Sequence, residues 1–81
     1  MAMLMADDET NLEQARRHVR EATARLTEQR ARVAELERDG HEATPSRELL
    51  ATMEESFRLM QEHLEVEEQE ARQAEALPPG A

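Results

Sequence analysis

The chain has 81 residues, no cysteine, a formal net charge of −9 and a single aromatic residue, Phe57. A chain of this length forms at most one domain with a thin core, so little large apolar material is left to line an enzyme pocket. The lack of cysteine excludes disulfides, thiolate zinc sites and cysteine nucleophiles, and the acidic balance disfavours binding to nucleic acid or anionic lipid.

The first nine residues, MAMLMADDE, are predicted to form a disordered acidic segment. MAMLMA is too short for the apolar region of a signal peptide and has no basic residues before it. No apolar run in the chain approaches the roughly 20 residues that span a bilayer. We therefore expect a soluble cytoplasmic protein without a membrane segment.

The first helix is predicted over about residues 10–39, because apolar or small residues recur at alternating steps of three and four. Thr10 and Glu13 have the spacing of a capping box at its start. Its heptad seam, which only Gln29 interrupts, consists of Leu12, Ala15, Val19, Ala22, Leu26, Val33 and Leu36.

The stretch LERDGHEATPSRELL is predicted to contain a turn over residues 40–44. Gly40 is expected in the left-handed conformation that ends a helix, with His41 packed over the last apolar residue of the first helix in a Schellman ending. Thr44 before Pro45 is expected to cap the second helix. So short a connection brings two helices together antiparallel.

The second helix is predicted over about residues 45–76, because the LPPG sequence at residues 77–80 ends it. Residues 78–81 are predicted to be a disordered tail. Its seam comprises Leu50, Met53, Phe57, Met60, Leu64, Glu67, Ala71 and Ala74. The predicted fold is thus all-α, an antiparallel helical hairpin over residues 10–77. The ten largest seam residues form its predicted core: Leu12, Val19, Leu26, Val33, Leu36, Leu50, Met53, Phe57, Met60 and Leu64.

The two helices can be aligned so that the numbers of residues facing each other add up to about 86. Every seam residue at heptad position a of one helix then faces a seam residue at position d of the other. This alignment also brings Arg16 near Glu68 and Arg30 near Glu54. The two halves complement each other electrostatically, because residues 12–39 carry seven arginines and six acids whereas residues 44–77 carry three arginines and nine glutamates.

Six further residues of the second helix lie beside its seam, at g and c positions, and we call them the second strip: Leu49, Thr52, Ser56, Leu59, His63 and Val66. One hairpin buries its seam only partly, so it would be marginally stable alone. We therefore expect the second strip to be a dimer interface, with two hairpins forming a four-helix bundle or coiled-coil assembly.

No catalytic residue, cofactor or metal site is predicted. Thr44 and Ser46 have no base and oxyanion partners and suit capping instead. No HExxH or His-x3-His spacing occurs, although His18 and His63 both fall at g positions. Histidine-dependent, pH-linked association of the chain is therefore kept as one alternative.

The arginines of the first helix raise a second alternative, since a short helical hairpin dimer resembles Rop-like RNA-binding proteins in architecture. These arginines encircle the helix instead of forming a stripe, and glutamates four residues earlier can pair with Arg17, Arg25 and Arg32. Nucleic acid is therefore disfavoured as a partner.

The run from Arg16 to Leu64, with its LERDGH turn, ELLATMEES segment and EHL ending, resembles small uncharacterised proteobacterial helical-hairpin proteins. The resemblance implies a helical hairpin, with His18, His41 and His63 among the matching positions. The expected function is that of a non-enzymatic interaction or regulatory module that acts through self-association and contacts with an unidentified protein partner.

Overall fold

The computed structural model describes residues 9–76, which form two helices, α1 (Asn11–Arg38) and α2 (Thr44–Ala76). The two helices pack against each other, and within residues 9–76 there is no strand. This confirms the predicted all-α fold built from two packed helices. The predicted tail, and all but the last residue of the predicted N-terminal segment, lie outside the described residues.

α1 begins with the predicted capping box. Thr10 has extended backbone angles, with φ −74° and ψ 164°, and its Oγ1 accepts a hydrogen bond of 3.0 Å from the Glu13 N–H. The Thr10 N–H in turn donates to Glu13 Oε1 at 2.9 Å. The two bonds satisfy two backbone donors that a helix start otherwise leaves to water.

α1 ends in the predicted Schellman motif. Gly40 has φ +74°, a conformation in which a residue with a Cβ is strained. The His41 N–H donates to the Leu36 carbonyl at 2.9 Å, and the Gly40 N–H donates to the Glu37 carbonyl at 3.2 Å. His41 is exposed and Leu36 is half-buried, and both hydrogen bonds of the motif are made by backbone groups.

The start of α2 lies one residue earlier than predicted, and Thr44 is not its cap. The Arg47 N–H donates to the Ala43 carbonyl at 2.8 Å, which makes Ala43 the capping residue and puts Thr44 and Pro45 inside the first turn. The Thr44 N–H donates to Glu42 Oε1 at 2.7 Å. Ala43 is only 3% exposed, so the residue at the cap position is apolar and buried. The carboxylate of Glu42 accepts the backbone hydrogen bond in its place.

The seam is buried unevenly between the two helices. Four α1 residues are buried, namely Ala15, Ala22, Leu26 and Val33. In the described part of α2 no residue is buried; its apolar seam residues from Leu50 to Leu64 are half-buried. The hairpin therefore leaves the larger side chains of α2, including Phe57, partly in contact with water.

The register of the helices differs from the predicted one by a heptad. Gln29 Nε2 donates to the Ser46 carbonyl at 2.9 Å. In the predicted pairing these residues would be about 16 Å apart along the axis at 1.5 Å per residue, which exceeds the reach of a glutamine side chain. A pairing in which the numbers of level residues add up to about 79 brings these two residues within reach of each other. It also extends the α2 seam to Ala43, which is buried, and to Ser46, which is half-buried, and it leaves Ala74 outside the seam, where it is exposed.

Both predicted ion pairs between the helices are present in the structure. Arg30 Nη2 lies 3.2 Å from Glu54 Oε2, and Arg16 Nη2 lies 4.0 Å from Glu68 Oε2. The pairs survive the change of register because helical side chains lean toward the N-terminus of their own helix. In an antiparallel pair this lean brings together the ends of two side chains whose Cα atoms lie at different heights along the helix axis. The pairing establishes that the helices are antiparallel.

Candidate functional site

The second strip forms an exposed, mainly apolar surface along α2. Its three aliphatic side chains are the large hydrophobic residues most exposed to solvent in the described part of the chain, with Leu49 at 52%, Leu59 at 57% and Val66 at 51%. The other three, Thr52, Ser56 and His63, are also exposed. At 100° per residue all six fall within an arc of about 100°. One flat face of α2 therefore has no partner within the hairpin.

The second strip continues into an open groove between the helices. Two adjoining clefts meet at Met60: one is lined by Ala22, Arg25 and Leu26 from α1 and by Thr52, Met53 and Ser56 from α2. The other is lined by Ala15, His18, Leu59 and His63. We call this surface the interhelical groove. The buried and half-buried residues of this lining are alanine, leucine and methionine, and its exposed residues, apart from Leu59, are polar or charged.

The size of the apolar surface of α2 explains why the groove stays open. The seam and the second strip together cover an arc of about 200° around α2, whereas about 100° is enough to face one neighbouring helix. α1 covers only the seam half of this arc. The seam residues Met53 and Met60 consequently line the clefts instead of being enclosed.

Opposite charges lie on the two sides of the interhelical groove. Arg25 and Arg32 of α1 occupy g positions on one side, and Glu55 and Glu62 of α2 occupy f positions beyond the second strip. None of these four side chains forms an ion pair with another residue of the 9–76 region. All four residues are exposed.

The histidines are divided between the groove and the turn. His18 and His63, the two histidines at g positions, come from different helices and line the same cleft. His63 Nε2 lies 4.0 Å from Glu67 Oε1 on the next turn of α2. His41 lies in the turn, away from that cleft.

Arg17 forms a different ion pair from the one predicted. Its guanidinium bonds to both carboxylate oxygens of Glu9, at 2.9 and 3.0 Å, and lies 3.4 Å from Glu21. The expected partner, Glu13, is held instead by the capping box. The hydrogen bonds from Arg17 lower the pKa of Glu9, and the same contact raises the pKa of Arg17. The N-terminal end of α1 is therefore held by charge as well as by capping.

The described residues show neither a metal centre nor a membrane span. Between Glu9 and Ala76 no three His, Cys, Asp or Glu side chains are grouped so that they could hold a metal ion. Neither helix, over the part of the chain described, has a stretch that is long and apolar enough to cross a bilayer.

Comparisons with protein-family models, with curated proteins and with solved structures found no match for this chain.

Three contacts near the turn were missed by the heptad analysis. Ala43 and Ser46 continue the α2 seam by one heptad, and Arg47 bonds to Glu37 across the turn. The sequence does indicate that the α2 seam extends to Ala43 and Ser46, since Ala43, Ser46 and Leu50 keep the steps of three and four. The Thr-Pro sequence obscured it, because it suggested that the helix and its seam began after residue 44.

Proposed function

We propose that this chain is a cytoplasmic, non-enzymatic interaction module that works by self-association, with the second strip as the interface between two copies. The observation that carries the proposal is the exposure of Leu49, Leu59 and Val66 on one face of α2. Contiguous apolar surface rimmed by polar residues is typical of protein interaction sites.

The half-buried seam supports the same proposal. Covering the interhelical groove would remove Met53, Met60 and Leu59 from water in one step, and each side chain contributes up to about 1.5–3 kcal/mol when it is fully buried. Two hairpins joined in this way make a four-helix bundle with one continuous core. A further protein partner would bind on the faces that the bundle leaves exposed.

The experiment compares the mass in solution of the wild-type chain with that of Leu59→Glu, by sedimentation equilibrium at matched concentrations. The wild-type chain is expected at the mass of two copies. Leu59→Glu places a carboxylate at the centre of the second strip, where burial of an unpaired charge is costly, and should shift the mass to one copy.

Ala51→Glu is the matched control, because Ala51 is exposed on the face of α2 that points away from both α1 and the second strip. It adds the same charge to the same helix and should leave the dimer intact. A wild-type mass of one chain throughout the micromolar range would contradict the proposal. Retention of RNA at low salt, with loss at high salt, would instead support the Rop-like alternative.

A further inference from the structure

We infer that the proposed self-association is sensitive to pH, with His18 and His63 as a histidine pair whose protonation separates the two copies. This inference rests on the proposed function and adds to it the regulation of the same surface. It follows from where the two side chains lie, since His63 belongs to the second strip and His18 lines the interhelical groove beside it.

Both imidazoles lie where a second copy would cover them. They line one cleft together with the apolar residues Ala15, Leu59 and Met60. In the single hairpin both histidines are exposed, and the side chain of His63 is 61% exposed, so water solvates the neutral and the charged imidazole alike. Once the cleft is covered, the charged form loses far more hydration than the neutral form.

The charged groups around His63 do not offset this loss. Its Nε2 lies 4.0 Å from Oε1 of Glu67, and this is the one ion pair that a histidine forms within residues 9–76. The other acids near it along α2 are Glu62, at the preceding position, and Glu70, two turns further on. From α1, the guanidinium of Arg25 lines the adjoining cleft. Protonation therefore adds positive charge beside a cation, with one carboxylate close to it.

The acids of α1 around His18 are already paired. Glu9 accepts hydrogen bonds of 2.9 and 3.0 Å from the Arg17 guanidinium, and Glu21 lies 3.4 Å from the same group. Across the cleft His18 has His63, which gains charge in the same pH range. Two imidazolium ions from different helices would thus share one cleft and repel each other.

The direction of the effect follows from the protons bound in each state. A covered imidazole must be neutral, so two associated chains bind fewer protons than two separate chains. Histidine ordinarily changes charge near pH 6.5, at about the middle of the range from pH 5 to 8. Association is therefore complete above about pH 6.5 and weakens as the pH falls below it, by up to about tenfold per pH unit for each imidazole that stays neutral.

Sedimentation equilibrium at about pH 7.5 and about pH 5.5, on either side of the ordinary histidine titration, measures the dissociation constant. Salt at about 0.15 M screens the repulsion between the acidic chains beyond about 8 Å. The wild-type chain should associate at least about tenfold more weakly at the lower pH. The double variant His18→Gln, His63→Gln carries neutral amides at both pH values, so its dissociation constant should change little between them.

His41→Gln is the matched control, because His41 is exposed in the turn, away from the cleft. It removes the same titrating charge from the chain and should keep the pH dependence of the wild type. Circular dichroism at both pH values confirms that each variant keeps its helices, so that a change in mass reports association and not unfolding.

The outcomes separate the inference from the proposed function. If the wild-type chain has the mass of two copies and associates equally well, or more tightly, at the lower pH, the pH sensitivity is wrong and self-association stands. A mass of one chain at both pH values overturns both. If the double variant keeps the pH dependence, or His41→Gln loses it, the effect does not come from His18 and His63 and the inference is wrong.

Discussion

Replacement of Gly40 by alanine should destabilise the hairpin by about 1–2 kcal/mol, the cost of a left-handed conformation for a residue with a Cβ. A Cβ built at Gly40 meets no heavy atom within 4 Å, so no steric term adds to this figure. The loss arises from φ +74° alone, and the hydrogen bonds of the Schellman motif remain available to the variant.

The assay is thermal unfolding followed by circular dichroism at 222 nm, with every variant at the same chain concentration because association shifts the melting temperature. For a domain of this size about 1 kcal/mol corresponds to roughly 4–8 °C. Gly40→Asn is the matched control: asparagine tolerates the left-handed region, so its melting temperature should lie between those of wild type and Gly40→Ala. A Gly40→Ala variant as stable as wild type would refute the reasoning, and so would a Gly40→Asn variant less stable than Gly40→Ala.

Three further predictions concern the core, the cap and the turn. Leu26→Ala should cost about 2–5 kcal/mol in urea unfolding, because Leu26 is 2% exposed; a loss no larger than that of half-buried Leu12→Ala would contradict the packing described. Thr10→Ala should cost about 0.5–2 kcal/mol, and an unchanged unfolding midpoint would show that the capping box contributes nothing. Hydrogen bonds from Thr44 lower the pKa of Glu42, so its stabilising contribution is present above the unfolded pKa, near 4.5, and is lost as the pH falls through the folded value. The melting temperatures of wild type and Glu42→Gln should therefore converge on acidification, and a gap that stays constant from pH 7 to pH 3 would exclude this role.

The features that depend on local chemistry were predictable from sequence. Thr10 and Glu13 form their capping box, and Gly40 adopts the left-handed conformation, because each depends on residues within one turn. The heptad positions were also predictable, since they follow from the period of the helix. These signals are sufficient to define two helices and the short turn between them.

The register was not predictable from the heptad pattern, because a shift of seven residues exchanges each seam position for another of the same type. Contacts near the turn decide between the two registers. α1 ends at Arg38 and α2 begins at Thr44, so the turn itself is centred between the two alternatives. The hydrogen bond from Gln29 to the Ser46 carbonyl and the burial of Ala43 select a sum of about 79.

The shifted register leaves the large seam residues of α2 facing α1. It pairs Ala43 and Ser46 with α1 near the turn, while Ala74 is left exposed. The five large side chains from Leu50 to Leu64 face α1 in either register. The larger side chains stay half-buried, and the groove beside them adjoins a strip that is apolar at both ends. Since α1 faces only about half of the 200° apolar arc of α2, the other half has no partner within the hairpin, which is the surface that the proposed self-association would cover.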